Sequence, residues 1–536
     1  MKKLLETALG LGLCVSLIGC KKKDNTTKAS TTTKVTTKAK TTEKITTKKE
    51  KTIVIDTDNP NYESSYTPIL SDTLPRIDIN VNDPTIEEGH EMDFVTVPNR
   101  ENKWDYTTCN VTVTDENSNI TVNNKSAGVK VRGNWTTNYD KKPLRIKFDK
   151  KQAMLGLNDD PDNPDDGKYK SWLLLAEYKD WSMLRNATAF YLSHLMGDYY
   201  VSDFRLVDVY INNEYWGVYL LCEQQEVKDG RVEIAEAEQL EDSTYYQGTD
   251  IGYFLEFDGY YYDEEPLQQF TVNYKPLADC DSAKIFSNFQ NGFTIKSDIY
   301  STAQRDFIKN YIQNVFNICY SAIYDDIYYS FNDTYTTISV DSSLENSYET
   351  ISKVIDLDSL VNAYLLADIA CDTDIAWSSF FMDVDFSENG DKKLRFEAPW
   401  DYDSGFGNTK GCISGEGEYA ASILTDATNS QAGMPWFMLF YQADWFKTML
   451  KDKFNGMKEK GYFDQVISNI TTMANKYESS FIANYDKWGN VGRPDLTGWE
   501  QNEQSRACTT QKESAVYFAN WLTKRINSLD KILNNK

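Results

Sequence analysis

The spacing of apolar residues changes character along this chain, and that change constrains the fold more than any other feature. Up to about residue 222 apolar positions alternate: Ile77 and Ile79 within Arg76–Val81, Val111 and Val113 within Asn110–Thr114, Val129 and Val131 within Ala127–Arg132, and Leu144, Ile146 and Phe148 within Pro143–Phe148. A period of two sends such side chains to one face of a strand. Asn212-Asn213 divides two further strand runs, Val207–Ile211 and Tyr215–Leu221, and is a hairpin-turn signal. One helical stretch interrupts this half, Ser182–Met196, where Met183, Leu184, Ala187, Phe190, Tyr191 and Leu195 recur at helical spacing. After Thr302 the helical period dominates, over Phe307–Tyr324, Leu357–Ile369, Pro435–Lys453, Tyr462–Tyr485 and Gln511–Leu533. A β-rich part of about 75–300 followed by a mainly helical part of about 301–536 predicts an α+β fold with two lobes.

The N-terminus has a different composition. Lys2 and Lys3 precede an apolar run, Leu9 to Ile18, that is too short to span a bilayer and right for a secretory signal. It ends Leu17-Ile18-Gly19-Cys20, which resembles a bacterial lipobox. By that resemblance residues 1–20 are a lipoprotein signal peptide and Cys20 becomes the lipidated first residue, anchoring the protein outside the cytoplasm without a transmembrane helix. Residues 21–51 are almost entirely Lys and Thr, a composition that cannot bury enough apolar surface to fold and predicts a tether. Residues 1–51 carry a net charge of +9 within a chain of −25, so the body from Thr52 onward stands at −34. Such a body excludes nucleic acid as its main partner, because phosphate backbones need Lys and Arg neutralisation. Without Cys14 and Cys20, seven cysteines remain, with no close spacing of a zinc or redox motif; an odd number leaves at least one without an intramolecular partner.

Four segments bear on chemistry. In Leu394–Asn408, Asp401 and Asp403 stand two apart after an apolar run and before Gly405 and Gly407; on an extended backbone both carboxylates aim to one side and can share a cation, although paired aspartates before glycines also make ordinary turns. In the paired runs around Lys130–Arg132 and Arg145–Lys147, alternation gathers cations on one face. They suit phosphate or carboxylate, or protect a sheet edge. In Ser171–Asn186 the apolar residues belong to the core, and Glu177, Arg185 and Asn186 are the polar exceptions. In Asp368–Met382 an apolar helix breaks at Asp372 and Asp374, and Asp374 precedes Ser379 by five, the spacing at which kinase-like sites set a catalytic aspartate and a metal ligand; a capped helix end would use the same residues. Two histidines, His90 and His194, leave no multi-histidine metal site, and no Walker-type or Gly-rich kinase loop is present. The acidic runs Asn158–Gly167 and Glu256–Glu265 lack EF-hand spacing and are expected as solvated loops.

The ordered series Val131-Arg132-Gly133-Asn134, Lys142–Lys147, Trp172–Ala176, Leu184-Arg185-Asn186, Tyr210–Tyr219 and Pro399-Trp400-Asp401-Tyr402-Asp403 resembles the spore coat protein H (CotH) family over roughly Ile77 to Phe446. The resemblance implies an atypical protein-kinase-like fold over residues 52–536 and ATP-dependent, Mg²⁺- or Mn²⁺-dependent transfer of the γ-phosphate to Ser or Thr of secreted or surface proteins. Carried over by position, Lys147 contacts the nucleotide phosphates, with Lys142 the next candidate and Arg132 a neighbour. Glu223 and Gln224 lie near the adenine, Asp374 deprotonates the acceptor hydroxyl, Asp401 holds the metal, and Asp403 assists. The chain departs from the family at Ser378-Ser379, where members often have Asn; Ser379 then stands as a metal ligand. Two other readings use the same residues: a non-catalytic cell-surface binding or scaffolding module on this fold, and a glycosidase pair formed by Asp374 and Asp401.

Overall fold

The computed structural model describes residues 64–97, 105–158, 167–237, 245–275, 277, 291–372, 374–412, 414–420, 434–497 and 500–535. The signal, Cys20 and the Lys/Thr-rich segment lie outside these, as does most of the acidic run after Asn158.

The alternating runs build a closed barrel. Strands β1 (Arg76–Val81), β2 (Thr107–Thr114), β3 (Ile120–Val131), β4 (Leu144–Ala153), β5 (Lys168–Leu175), β6 (Phe204–Ile211) and β7 (Glu214–Glu223) follow the order β1-β2-β3-β4-β5-β7-β6, and β1 closes it by pairing parallel with β6. The inward positions, among them Ile77, Val111, Val129, Ile146, Trp172, Val209 and Tyr219, make a core of their own. Asn212 and Asn213 both take positive φ (49° and 66°) between β6 and β7, the left-handed pair that a two-residue hairpin requires. Outward-facing Leu173, Leu175, Leu206, Val218 and Leu220 join the larger core of the body. They meet helix α1 (Arg185–Met196) there. That helix starts three residues later than its period predicts: buried Asp180 accepts the amides of Ser182, Leu184 and Arg185 (2.8–3.0 Å), and Met183 is left-handed, so a turn occupies the first residues.

A second sheet runs β14-β13-β8-β10-β9, from β8 (Gly252–Asp258), β9 (Gln269–Phe270), β10 (Gly292–Ile295), β13 (Phe380–Asp385) and β14 (Arg395–Phe396); β11 (Tyr329–Phe331) and β12 (Ile338–Val340) form a small hairpin. Because β8 pairs with β13, strands from before and after residue 300 share one sheet, so a lobe boundary at 300 does not match the pairing. The expected solvated loop from Glu256 is also corrected at its start: β8 is buried throughout, Glu256 and Asp258 included.

The helical part comprises α2 (Thr302–Tyr320), α3 (Ser347–Ser352), α4 (Leu357–Ala370), α5 (Pro435–Phe440), α6 (Asp444–Glu459), α7 (Tyr462–Lys476), α8 (Glu478–Trp488) and α9 (Gln511–Asn534). Two expected helices are each split. Pro435–Lys453 breaks before α6 because Ala443 is extended (ψ 124°). Tyr462–Tyr485 breaks at Tyr477, whose hydroxyl is tied to both the amide and the carbonyl of Ser71 (3.1 and 3.0 Å). With strands and helices interleaved around a common core, the body is an α+β fold.

Candidate functional site

The segment after β14 does not continue as a strand. Ala398 and Asp401 take left-handed conformations (φ 57° and 65°), and Tyr402–Ser404 form one turn of 3₁₀ helix. Asp401 and Asp403 are therefore brought together by a kink and a turn rather than by strand alternation. The kink is fixed from α1: Asn186 Oδ1 accepts the Tyr402 amide at 2.7 Å, and Asn186 Nδ2 donates to Glu177 Oε1 at 3.0 Å. Beyond the turn, Gly407 is required, since φ is +74° and a Cβ would lie 2.6 Å from the Trp521 ring. Fully buried Asn408 donates to the Asp403 carbonyl (2.7 Å) and accepts from Ser505 Oγ (2.8 Å), closing the loop.

Against this loop stands Lys179, from the turn between β5 and α1. Its ammonium is 3.1 Å from Asp403 Oδ1 and donates to Ser404 Oγ at 2.7 Å; Ser404 Oγ in turn donates to Asp374 Oδ2 at 2.9 Å. One lysine thus connects the aspartate pair to Asp374. Burial works against the Lys179 charge, but Asp403, Asp374 and Asp401 outweigh it and hold its pKa well above the ordinary value. The carboxylates remain in excess. Burial pushes the Asp401 carboxyl up to about 7, with Asp403 and Asp374 adding to it and Lys179 and Arg132 opposing. Asp372 is pushed further up, first by burial and then by Asp374, while its Oδ1 accepts the Asp374 amide at 3.0 Å; its role is to shape the turn.

The cationic face lies across from the acids. β3 and β4 pair in the register Lys130↔Arg145 and Gly128↔Lys147, so alternation does set Lys130, Arg132, Arg145 and Lys147 on the outer barrel face. Arg132 reaches furthest, with its guanidinium 5.3 Å from the Trp400 ring centre and within the field of Asp401 and Glu256. Ser379, at φ 66°, donates its amide to Glu256 Oε1 at 2.8 Å, and Lys296 pairs with the other oxygen at 2.9 Å.

The sequence-derived residues thus divide. Arg132, Asp374, Asp401 and Asp403 are brought together; Ser379 lies three residues beyond the 3₁₀ turn Asp374–Ala376, immediately before β13. Lys147 is exposed and, among the described residues, has no ion pair. Lys142 is buried with its ammonium on the Tyr139 carbonyl at 2.6 Å, so that charge is committed to the chain's own backbone. The Glu223 carboxylate, expected near the adenine, meets Arg231 (3.2 Å), Asn158 (3.2 Å) and the Asp203 amide (3.1 Å). Gln224 donates to the neighbouring Gln225 carbonyl at 3.2 Å. Sequence reasoning missed Lys179 and Glu256. The available signal for Lys179 was a Lys-Asp pair set between two apolar runs with no glycine or proline to make it a loop.

The donor set fits a hard divalent cation. Among the described residues no three His, Cys, Asp or Glu side chains gather as a ready-made metal cluster. An ion held by Asp401 and Asp403 would complete its shell with water or phosphate oxygens, as magnesium sites commonly do. Burial first, then the neighbouring carboxylates, raise Asp401 against the opposing fields of Lys179 and Arg132.

No curated protein matches the chain. The CotH kinase protein family matches it over residues 129–529, which begins late in β3 and takes in every residue of the site. The chain belongs to the CotH kinase protein family.

Proposed function

We propose that this protein is a lipid-anchored, extracytoplasmic kinase with a two-lobed architecture that transfers the γ-phosphate of ATP to Ser or Thr of secreted or surface proteins. The observation that carries the reading is the connection Asp403–Lys179–Ser404–Asp374, which couples a metal-holding aspartate to the residue placed to receive a proton. Asp401 and Asp403, with Ser379, are the residues that would hold Mg²⁺ or Mn²⁺, whose chemistry is to neutralise charge on the phosphates. Ser404 fixes one oxygen of Asp374 and leaves the other to accept the hydroxyl proton of the acceptor. Lys179 balances the acids, and Arg132 and Lys147 supply cations from the barrel face. The leader ending at Cys20 supports the lipid anchor and the placement outside the cytoplasm.

A binding-module reading is favoured by one feature, the exposed aromatic rim of Tyr260, Tyr262 and Trp377 beside Asp374. Labelled ATP with Mg²⁺ or Mn²⁺ and a Ser/Thr peptide library separates the two. Transfer by the wild type that is lost in Asp374→Asn and Asp401→Asn is the expected result. Equal transfer by these variants, or none with either metal, would overturn the kinase reading.

A further inference from the structure

The connection between β3 and β4 carries Arg132 to the site, and its far end is held by a residue from near the other end of the chain. Gly133 turns the backbone at φ +92°, where a Cβ would lie 2.5 Å from Thr136 Oγ1, and the 3₁₀ turn Trp135–Asn138 leads to Tyr139. The Tyr139 hydroxyl donates to Glu500 Oε2, and the Trp135 side chain hydrogen-bonds to the same carboxylate. Trp135 is 53% exposed, whereas Tyr139 is buried and its ring packs against Tyr178. The next two residues grip the site itself. Gln501 Nε2 donates to the Lys179 carbonyl at 2.9 Å; the Asn502 amide donates to the Asn408 carbonyl at 2.8 Å, and Asn502 Nδ2 donates to the Gly407 carbonyl. Three consecutive residues therefore join the Arg132 segment, the site lysine and the glycine loop.

We propose that Glu500 is a positioning residue whose contacts with Tyr139 and Trp135 latch the Arg132–Tyr139 segment against the site and set how tightly nucleotide phosphates are held. The kinetic part of this rests on the kinase reading; the latch itself does not. Half-buried hydrogen bonds to a carboxylate are stronger than neutral ones, so their loss should be legible in the segment's opening equilibrium.

The test uses the full chain and the variants Glu500→Gln, Tyr139→Phe and the double variant. Amide hydrogen exchange over residues 132–140 should accelerate by about tenfold or more in Glu500→Gln, which weakens both contacts, and by a smaller factor in Tyr139→Phe, which removes one; the double variant should fall short of the product of the two single effects, because they share the Tyr139–Glu500 contact. With Mg²⁺-ATP as probe, KM should rise by about fivefold to tenfold while kcat stays within about twofold, a split that loss of general stability would not produce. Unchanged exchange in both single variants would overturn the latch, as would a parallel fall of kcat with no change in KM. If the wild type does not turn over ATP, the kinase reading fails, and exchange alone decides the latch.

Discussion

Glu177 gives the most direct test of the electrostatics under the site. It is buried at 6% exposure, left-handed at φ 51°, and its carboxyl is pushed up to about 8, first by burial and then by Asp180 and Asp403, against the hydrogen bond from Asn186 and the field of Lys141. In the unfolded chain a Glu titrates near 4.3. Below that value both states hold the proton and nothing is lost. As pH rises toward about 8 the folded state keeps a proton that the unfolded state releases, so stability falls by about 1.4 kcal/mol per pH unit and levels off above the folded value. Gln at this position can still accept the Asn186 hydrogen bond but carries no proton to lose. The Glu177→Gln variant should therefore gain on the wild type by about 4 kcal/mol between pH 5 and pH 8. For a body of this size that is a melting-temperature difference widening by about 4 °C, measured by calorimetry at fixed ionic strength. Titrating groups out of reach of Glu177 are common to both proteins and cancel to first order, whereas Lys141, pushed down to about 7 by burial and up by Glu177, is coupled to it. A difference that stays constant from pH 5 to pH 8 would refute the reasoning.

Lys179→Met should lower phosphoryl transfer by about a hundredfold or more, and because it strips the acids of their cation, Mg²⁺ should raise its melting temperature by more than it raises that of the wild type. An equal Mg²⁺ effect in both proteins would count against the charge balance drawn around Asp403. Arg185→Met removes the partner of fully buried Asp180 and should destabilise the fold by about 3–5 kcal/mol, read by urea unfolding. Cys109, Cys222, Cys319, Cys371, Cys412 and Cys508 are free and buried, so a thiol reagent should find at least six thiols in unreduced, denatured protein and almost none of these six under native conditions. Detection of fewer than six after denaturation would contradict their unpaired state.

Strands β1 to β4 were legible because they are buried on one face, and β6 and β7 through their turn: Arg76–Val81 and the Asn212-Asn213 hairpin stand where alternation and turn chemistry put them, while the closure of the barrel was not foreseen. β5, β8 and β10 were not, since Ser171–Leu175, all of β8 and all of β10 are buried on both faces and read as featureless apolar runs. The split at Tyr477 depends on a hydrogen bond to Ser71, 406 residues away, and no local period reports such a contact. The site divides in the same way. Asp374, Asp401, Asp403 and Arg132 stand in short patterned segments, whereas Lys179 acquires its role from Ser404, 225 positions on. The ion pair of Glu223 was hidden for the converse reason: its partner Arg231 is only eight residues away, but a loop and not a period joins them.

The strain around the site supports its being a site at all. Glu177, Cys371, Ser379, Ala398, Asp401 and Phe406 are non-glycine residues in the left-handed region, and they surround Asp374 and the aspartate pair. Each such conformation costs on the order of 1–3 kcal/mol and persists only where neighbours over-determine it. Those neighbours are present: Asn186 holds Tyr402, Asn408 holds Asp403, and fully buried Arg525 binds the Asp368 carbonyl through Nε (2.9 Å) and Nη2 (2.6 Å). Asp368 Oδ1 in turn accepts the amides of Tyr419 and Ala420, both at 2.7 Å. A solvated turn between two aspartates would need none of this scaffolding, because water would satisfy its backbone and screen its charges. The arrangement instead keeps Asp401 and Asp403 buried within one another's field and that of Asp374, where like charges repel, and spends buried hydrogen bonds to hold them there.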